Sequence, residues 1–205
     1  KLHINQEPLL DTRTHADAMW VRLSAVAIGD GEDSEPLSAS TRSGWLVSSI
    51  EAEFTPQVSF YKTNLVKCLP LHSTGKIRYP SGPEMDKCYH NLENEVAIFE
   101  PKLVFLLGKQ VATFVGTRVF GHEIGFTSEF KYSAFQSAGT MYVPIHHPSF
   151  MLVYGRAMML NYIAGVCTAI AKHAGNLGTQ RSSRILHALH LQVNGGGGAR
   201  VGLPM

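Results

Sequence analysis

Hydrophobic and polar positions along this chain change period repeatedly, and each change marks an element. From Arg22 to Ile28 the run RLSAVAI is short and β-prone, and it ends abruptly at GDGEDSEP, whose glycines, acids and proline have loop chemistry. A buried strand is expected there. SGWLVSSIEAEF has helical spacing, and VSFYKTNLVKC reads as the next strand, followed by a Pro-, Gly- and Ser-bearing loop from Leu69 to Gly82. In PEMDKCYHNLENEVAIF, Met85, Cys88, Leu92, Val96 and Phe99 share one helical face, with proline in the first turn and acids near the start. PKLVFLLG is then a fully apolar strand, and KQVATFVG a short helix closed by Gly116. Residues 117–139 are aperiodic, with room for a hairpin. TMYVPI is the last strand, and RAMMLNYIAGVCTAIAKHAG the last helix, with Cys167 as a buried structural thiol.

Strands alternating with helices imply an α/β fold: a central, mostly parallel sheet flanked by helices on both faces. The stretch VPIHHPSFMLV then lies just beyond a strand's C-terminal end, the edge where open α/β sheets bind ligands.

Composition narrows this picture only a little. At 205 residues the chain fits one domain, assigned to residues 1–175, with a Gly-rich tail at 176–205 read as flexible and able to meet a protein partner. A net charge of +2 permits a polyanion partner without demanding one, so any nucleic-acid site must be local. Three cysteines, at positions 68, 88 and 167, do not form a secreted disulfide framework and suit a reducing, intracellular setting: cytoplasm, nucleoid or, in a eukaryote, nucleus. No apolar run approaches the roughly 20 residues of a membrane span, and the first residues lack a signal-peptide core.

Three places carry candidate chemistry. His146 and His147 are adjacent in an extended segment and point to opposite faces, so a shared metal is not expected. One should face the ligand edge while the other packs or caps a backbone group. Asn64, inside a strand, offers a donor and an acceptor together and can read the edge of a base, although an Asn can equally bond its own backbone at an edge. In GDGED, Asp30 can orient a water or simply form an acidic turn. No Walker loop, GxSxG elbow or HExxH motif is present.

The order IGDGED, SGWLV, YKTNLVKCLP, a Cys-bearing helix, FEPKLVFLLGKQVATFVG and HHPSFMLV resembles the uracil-DNA glycosylase superfamily, nearest its iron-sulfur-bearing branch, from about Arg13 to Ala174. The resemblance implies that DNA is the partner and that a flipped base loses its N-glycosidic bond. By the same resemblance, Asn64 hydrogen-bonds the base and His147 stabilises charge on the leaving group. Asp30 is the best candidate to orient water. Phe150, Met151 and Leu152, after Ser149, correspond to the wedge that fills the gap left in the stack. Lys67, Lys76, Arg78 and Ser149 are expected on DNA.

Departures from the family pattern matter as much. That branch holds a four-cysteine cluster, yet Ile4 and Glu7 stand where the first cysteine pair belongs. Ile cannot ligate iron, so no cluster or other cofactor is expected, and Cys68 and Cys88 are read as a remnant buried thiol pair. Glu32 and Asp33 fall on the family's Glu-Asp pair, and Ala39 replaces its base-stacking Phe. Either another aromatic such as Phe60 or Trp45 supplies the ring, at a contact worth about 1–3 kcal/mol, or the pocket no longer binds uracil well. The rival expectation is a catalytically silent module that binds DNA or protein in a replication or repair assembly.

Overall fold

The computed structural model describes residues 11–27 and 35–175. Its centre is a five-stranded sheet in the order β2-β1-β3-β5-β4. The strands β1 (Ala18–Ser24), β2 (Phe60–Val66), β3 (Leu103–Leu107) and β5 (Thr140–Ile145) run parallel, and β4 (Phe135–Ser137) pairs antiparallel with β5. Parallel neighbours need crossovers, which are supplied by α1 (Arg42–Ala52), α2 (Gly82–Phe99) and α3 (Lys109–Phe120). Beyond β5 come a short α4 (Pro148–Val153), a single tight turn at Arg156–Met158, and α5 (Met159–His173). The expected α/β architecture is therefore the observed one.

Side-chain alternation divides the core into two layers. On one face Trp20 stacks on Phe105 at 4.4 Å and lies beside Phe60 at 6.1 Å, covered by Leu46, Val47 and Ile50 of α1 and by α4 and α5. On the other, Met19, Val21, Leu65, Val104 and Leu106 pack against Leu92 of α2 and Val111 and Val115 of α3. Each of these large apolar side chains contributes about 1.5–3 kcal/mol by leaving water.

Two expectations shift. The first strand is Ala18–Ser24, not Arg22–Ile28. Ala18 to Val21 are 0 % exposed because β1 lies between β2 and β3 with helices on both faces. A continuous apolar run is what such a position demands, and pairing with β2 stops at Ser24↔Val66. Gly116 does not close α3 either. A Cβ there would come within 2.6 Å of the Ile124 side chain, so this glycine permits close packing, and the helix ends instead at Gly121 with φ +75°. The aperiodic stretch is largely irregular and supplies only β4 and the turn of a hairpin, at Ala138 and Gly139 with positive φ, whose second arm is β5.

From β1 the chain moves through α1 to β2 on one side, then crosses back through α2 to β3 on the other. The sheet thus has a topological switch point at the C-terminal ends of β1 and β3, where a crevice is left between diverging connections.

Candidate active site

At that switch point opens a cleft of about 510 Å³, lined among others by Arg22, Leu107, Lys109, His147, Phe150 and Tyr154. His147 reaches it because β5 ends at Ile145 and Pro148 starts α4, leaving His147 as the helix N-cap with extended backbone angles. Its Nδ1 accepts the Ser149 backbone N–H at 3.1 Å and lies 2.7 Å from Ser149 Oγ. With Nδ1 accepting, the neutral ring carries its proton on Nε2, as a donor. Burial, reinforced by the nearby Arg22 cation, pushes the His147 pKa down to about 4, so the ring is neutral at physiological pH.

His146 points elsewhere. Its Nδ1 lies 3.0 Å from the Tyr132 hydroxyl, and its ring packs against Phe126, Phe130 and Phe150 at 4.2, 4.8 and 5.8 Å. The pair therefore splits into one histidine at the cleft and one in an aromatic cluster. Among the described residues no group of three or more His, Cys, Asp or Glu side chains could hold a metal.

Asn64 is 0 % exposed, and among the described residues neither its Oδ1 nor its Nδ2 has a hydrogen-bond partner. Its Cα partner across β1 is Arg22. Residues in register on neighbouring parallel strands share a face, here the face that α1 covers, since Lys62 two residues earlier bonds Glu51 and Ser48 of that helix. Arg22 thus stands between the buried amide and the cleft containing His147. Burial lowers the Arg22 pKa, and its guanidinium makes no ion pair with any described residue.

The other expected site residues scatter. Phe60 is 3 % exposed at the start of β2, stacked in the core at the opposite end of the strand from the cleft, so it cannot supply the missing ring. Trp45 is half exposed on α1, where it shares a separate hollow with Ala39 and Leu152. Lys67 is buried on the α2 face, its Nζ 2.5 Å from Glu95 and bonded to Thr63, so it is an internal ion-pair partner and not a phosphate ligand. Arg78 is likewise committed, in a fork on both Glu84 oxygens at 2.6 and 2.7 Å and a bond to the Leu71 carbonyl, which fastens the loop to the start of α2. Lys76 is exposed at a turn in that loop.

Within FMLV only part faces outward. Met151 is 0 % exposed and belongs to the core, which rules it out as a wedge, and Leu152 is half-buried. Phe150 is 47 % exposed, Val153 61 % and Tyr154 78 %. Sequence reasoning missed Arg22, Tyr79, Lys109 and Tyr154 as cleft residues. Cys68 is exposed and Cys88 half-buried, unlike the expected buried pair. Asp30, Ile4, Glu7, Glu32, Asp33 and the tail at 176–205 lie outside the described residues.

Comparison with known proteins places this arrangement. The family model for the uracil DNA glycosylase superfamily matches residues 27–167, more than half of the chain. Among solved structures, the crystal structure of wild-type Pedobacter heparinus SMUG2 is similar at 13 % identity with a TM-score of 0.51, over 77 % of this chain and 76 % of that one. A search of curated proteins found no match.

Proposed function

The chain belongs to the uracil DNA glycosylase superfamily, and from that premise we propose that it flips a base out of DNA and hydrolyses the N-glycosidic bond. The observation that carries this reading is Asn64: a fully buried amide whose two polar ends find no partner among the described residues, near the edge where this fold opens its crevice. Burying such a group without partners costs about 1–3 kcal/mol in proteins. A base edge offering one acceptor and one donor would satisfy it.

In the proposed reaction the C1′–N bond breaks with its electron pair leaving on the base. Water adds at C1′ and loses a proton, for which Asp30 is the proposed acceptor, and the base anion is protonated on release. His147 presents Nε2–H to the leaving group, and its neutrality costs nothing at pH 7 because burial has already displaced the proton. The exposed rings of Phe150 and Tyr154, in contact at 5.5 Å, are the proposed wedge. Lys76, Lys109 and Ser149 are proposed on the DNA backbone.

We also propose that no four-cysteine cluster takes part. The donor set does not fit one: Ile4 and Glu7 occupy the places of the first pair, leaving Cys68 and Cys88. The likeness to the cluster-bearing branch is then one of sequence pattern alone. Absorbance near 400 nm in the purified protein would overturn this.

The test of the main reading is single-turnover excision on oligonucleotides carrying uracil and other modified bases, with Asn64→Ala as control. Excision that Asn64→Ala abolishes is the expected result. Intact substrates throughout the panel at high enzyme excess would sink it, in favour of a DNA- or protein-binding module.

A further inference from the structure

Arg22 interrupts an apolar strand, lies in register with Asn64 and lines the cleft with His147. No carboxylate lines that cleft among the described residues, and no described residue pairs with the guanidinium. Among the described residues nothing offsets the cost of partly burying this cation, which suits it to an anionic ligand. We propose that Arg22 is a catalytic residue: its guanidinium stabilises the negative charge that the departing base acquires, alongside the Nε2–H of His147. This rests on the glycosylase reading.

Geometry favours the base over a phosphate as the anion. Arg22 is half-buried on the inner strand beside Asn64, whereas Lys109, at the start of α3, is exposed at the rim. The Arg22 charge already acts on the imidazole of His147. An anion formed between the buried amide and that ring would therefore lie within the same field. The electron pair of the broken C1′–N bond resides on the base until a proton from water neutralises it, so Arg22 donates hydrogen bonds and transfers no proton.

The experiment measures single-turnover excision at saturating enzyme for wild type, Arg22→Gln and Arg22→Lys, on uracil and on 5-fluorouracil, whose anion is the more stable. Loss of one preorganised charge-stabilising donor lowers such rates by roughly 10²–10³-fold. Arg22→Gln should slow uracil excision by about that factor and 5-fluorouracil excision less, with Arg22→Lys between. Affinity for undamaged DNA should not change, and the melting temperature should stay level or rise.

A uracil rate in Arg22→Gln close to wild type would overturn the proposal. Equal loss on both bases, together with weaker binding of undamaged DNA and a salt dependence reduced by about one ion, would reassign Arg22 to a phosphate. A lowered melting temperature would make it structural. If wild type cleaves no base, the glycosylase reading falls and takes Arg22 with it. If wild type is active and Arg22→Gln equally so, only the Arg22 role falls.

Discussion

Replacing Asn64 with leucine should strengthen the fold and abolish activity at the same time. The two side chains branch alike at Cγ with the same number of heavy atoms, so Asn64→Leu opens no cavity, and the extra volume of two methyl groups offsets only part of the gain. What changes is polarity: Oδ1 and Nδ2 are buried without partners in the native protein. Removing an unsatisfied buried amide recovers about 1–3 kcal/mol, and leucine suits a fully buried strand position better than asparagine. A gain of about 2 kcal/mol corresponds to a rise of roughly 4–8 °C in melting temperature for a domain of this size.

Excision should fall by more than about 10²-fold, because a pocket built to hydrogen-bond its ligand discriminates steeply once those groups are gone. Thermal unfolding followed by circular dichroism, and single-turnover excision on the same preparation, read the two effects separately. A drop in melting temperature would show that the amide is satisfied and structural. Retained excision would show that it does not read the base. Either result refutes the reasoning.

Other perturbations follow from the same geometry. His147 has a folded pKa near 4 against an ordinary 6.5, so the folded state binds fewer protons between those values: its effect on stability is nil above pH 6.5, reaches about 2 kcal/mol of destabilisation near pH 5, and is complete below pH 4. The acid limb of kcat/KM should accordingly lie near 4, and a limb near 6.5 would contradict the assignment. Glu95→Ala should destabilise by about 3–5 kcal/mol, since it strands buried Lys67 without its carboxylate; urea unfolding that shows less than about 1 kcal/mol would count against that pairing. The double substitution of Phe150 and Tyr154 by alanine should cut excision from duplex DNA far more than from single strands, where no stacked base must be extruded; equal loss on both would remove them from the wedge. Met151→Ala should cost about 2–5 kcal/mol by opening a core cavity, and a change below about 1 kcal/mol in urea unfolding would deny its burial.

Much of the sheet is legible in the sequence, and where it is not the reason is nonlocal. Leu103–Leu107 and Thr140–Ile145 are bounded by proline or glycine chemistry, so their limits are written locally. Around Arg22, two apolar runs compete, AMWV before it and AVAI after it. The first wins because Ala18 pairs with both Phe60 and Leu103, contacts that no local window contains. Within FMLV the four apolar residues show no period, so only the docking of α4 on α1 and α5 decides that Met151 is inward and Phe150 outward. Lys67 and Arg78 look like phosphate contacts in the sequence because a cation there shows its charge and hides its partner. Glu95 lies 28 residues from Lys67, although its position between Leu92 and Val96 on the buried side of α2 was a usable signal.

The site was harder to read than the fold because interruption of an apolar strand by a polar residue has two physical origins, and sequence does not separate them. β2 contains Lys62, Thr63 and Asn64 in succession, all nearly inaccessible. Lys62 bonds Ser48 and pairs with Glu51, and Thr63 donates to Glu95, so these two are stabilised within the protein. Asn64 has no such partner among the described residues, and neither does Arg22 beside it on β1. Among the described residues Trp20 Nε1, the Tyr162 hydroxyl and Glu51 Oε1 are unpaired as well, but the two rings have apolar bodies in the core cluster and the Glu51 carboxylate pairs with Lys62 through its other oxygen. An amide and a guanidinium have no comparable apolar compensation. Two polar groups in register, Arg22 at the switch point and Asn64 one strand beyond it, fit the proposed reading in which a ligand supplies the partners that the described residues do not.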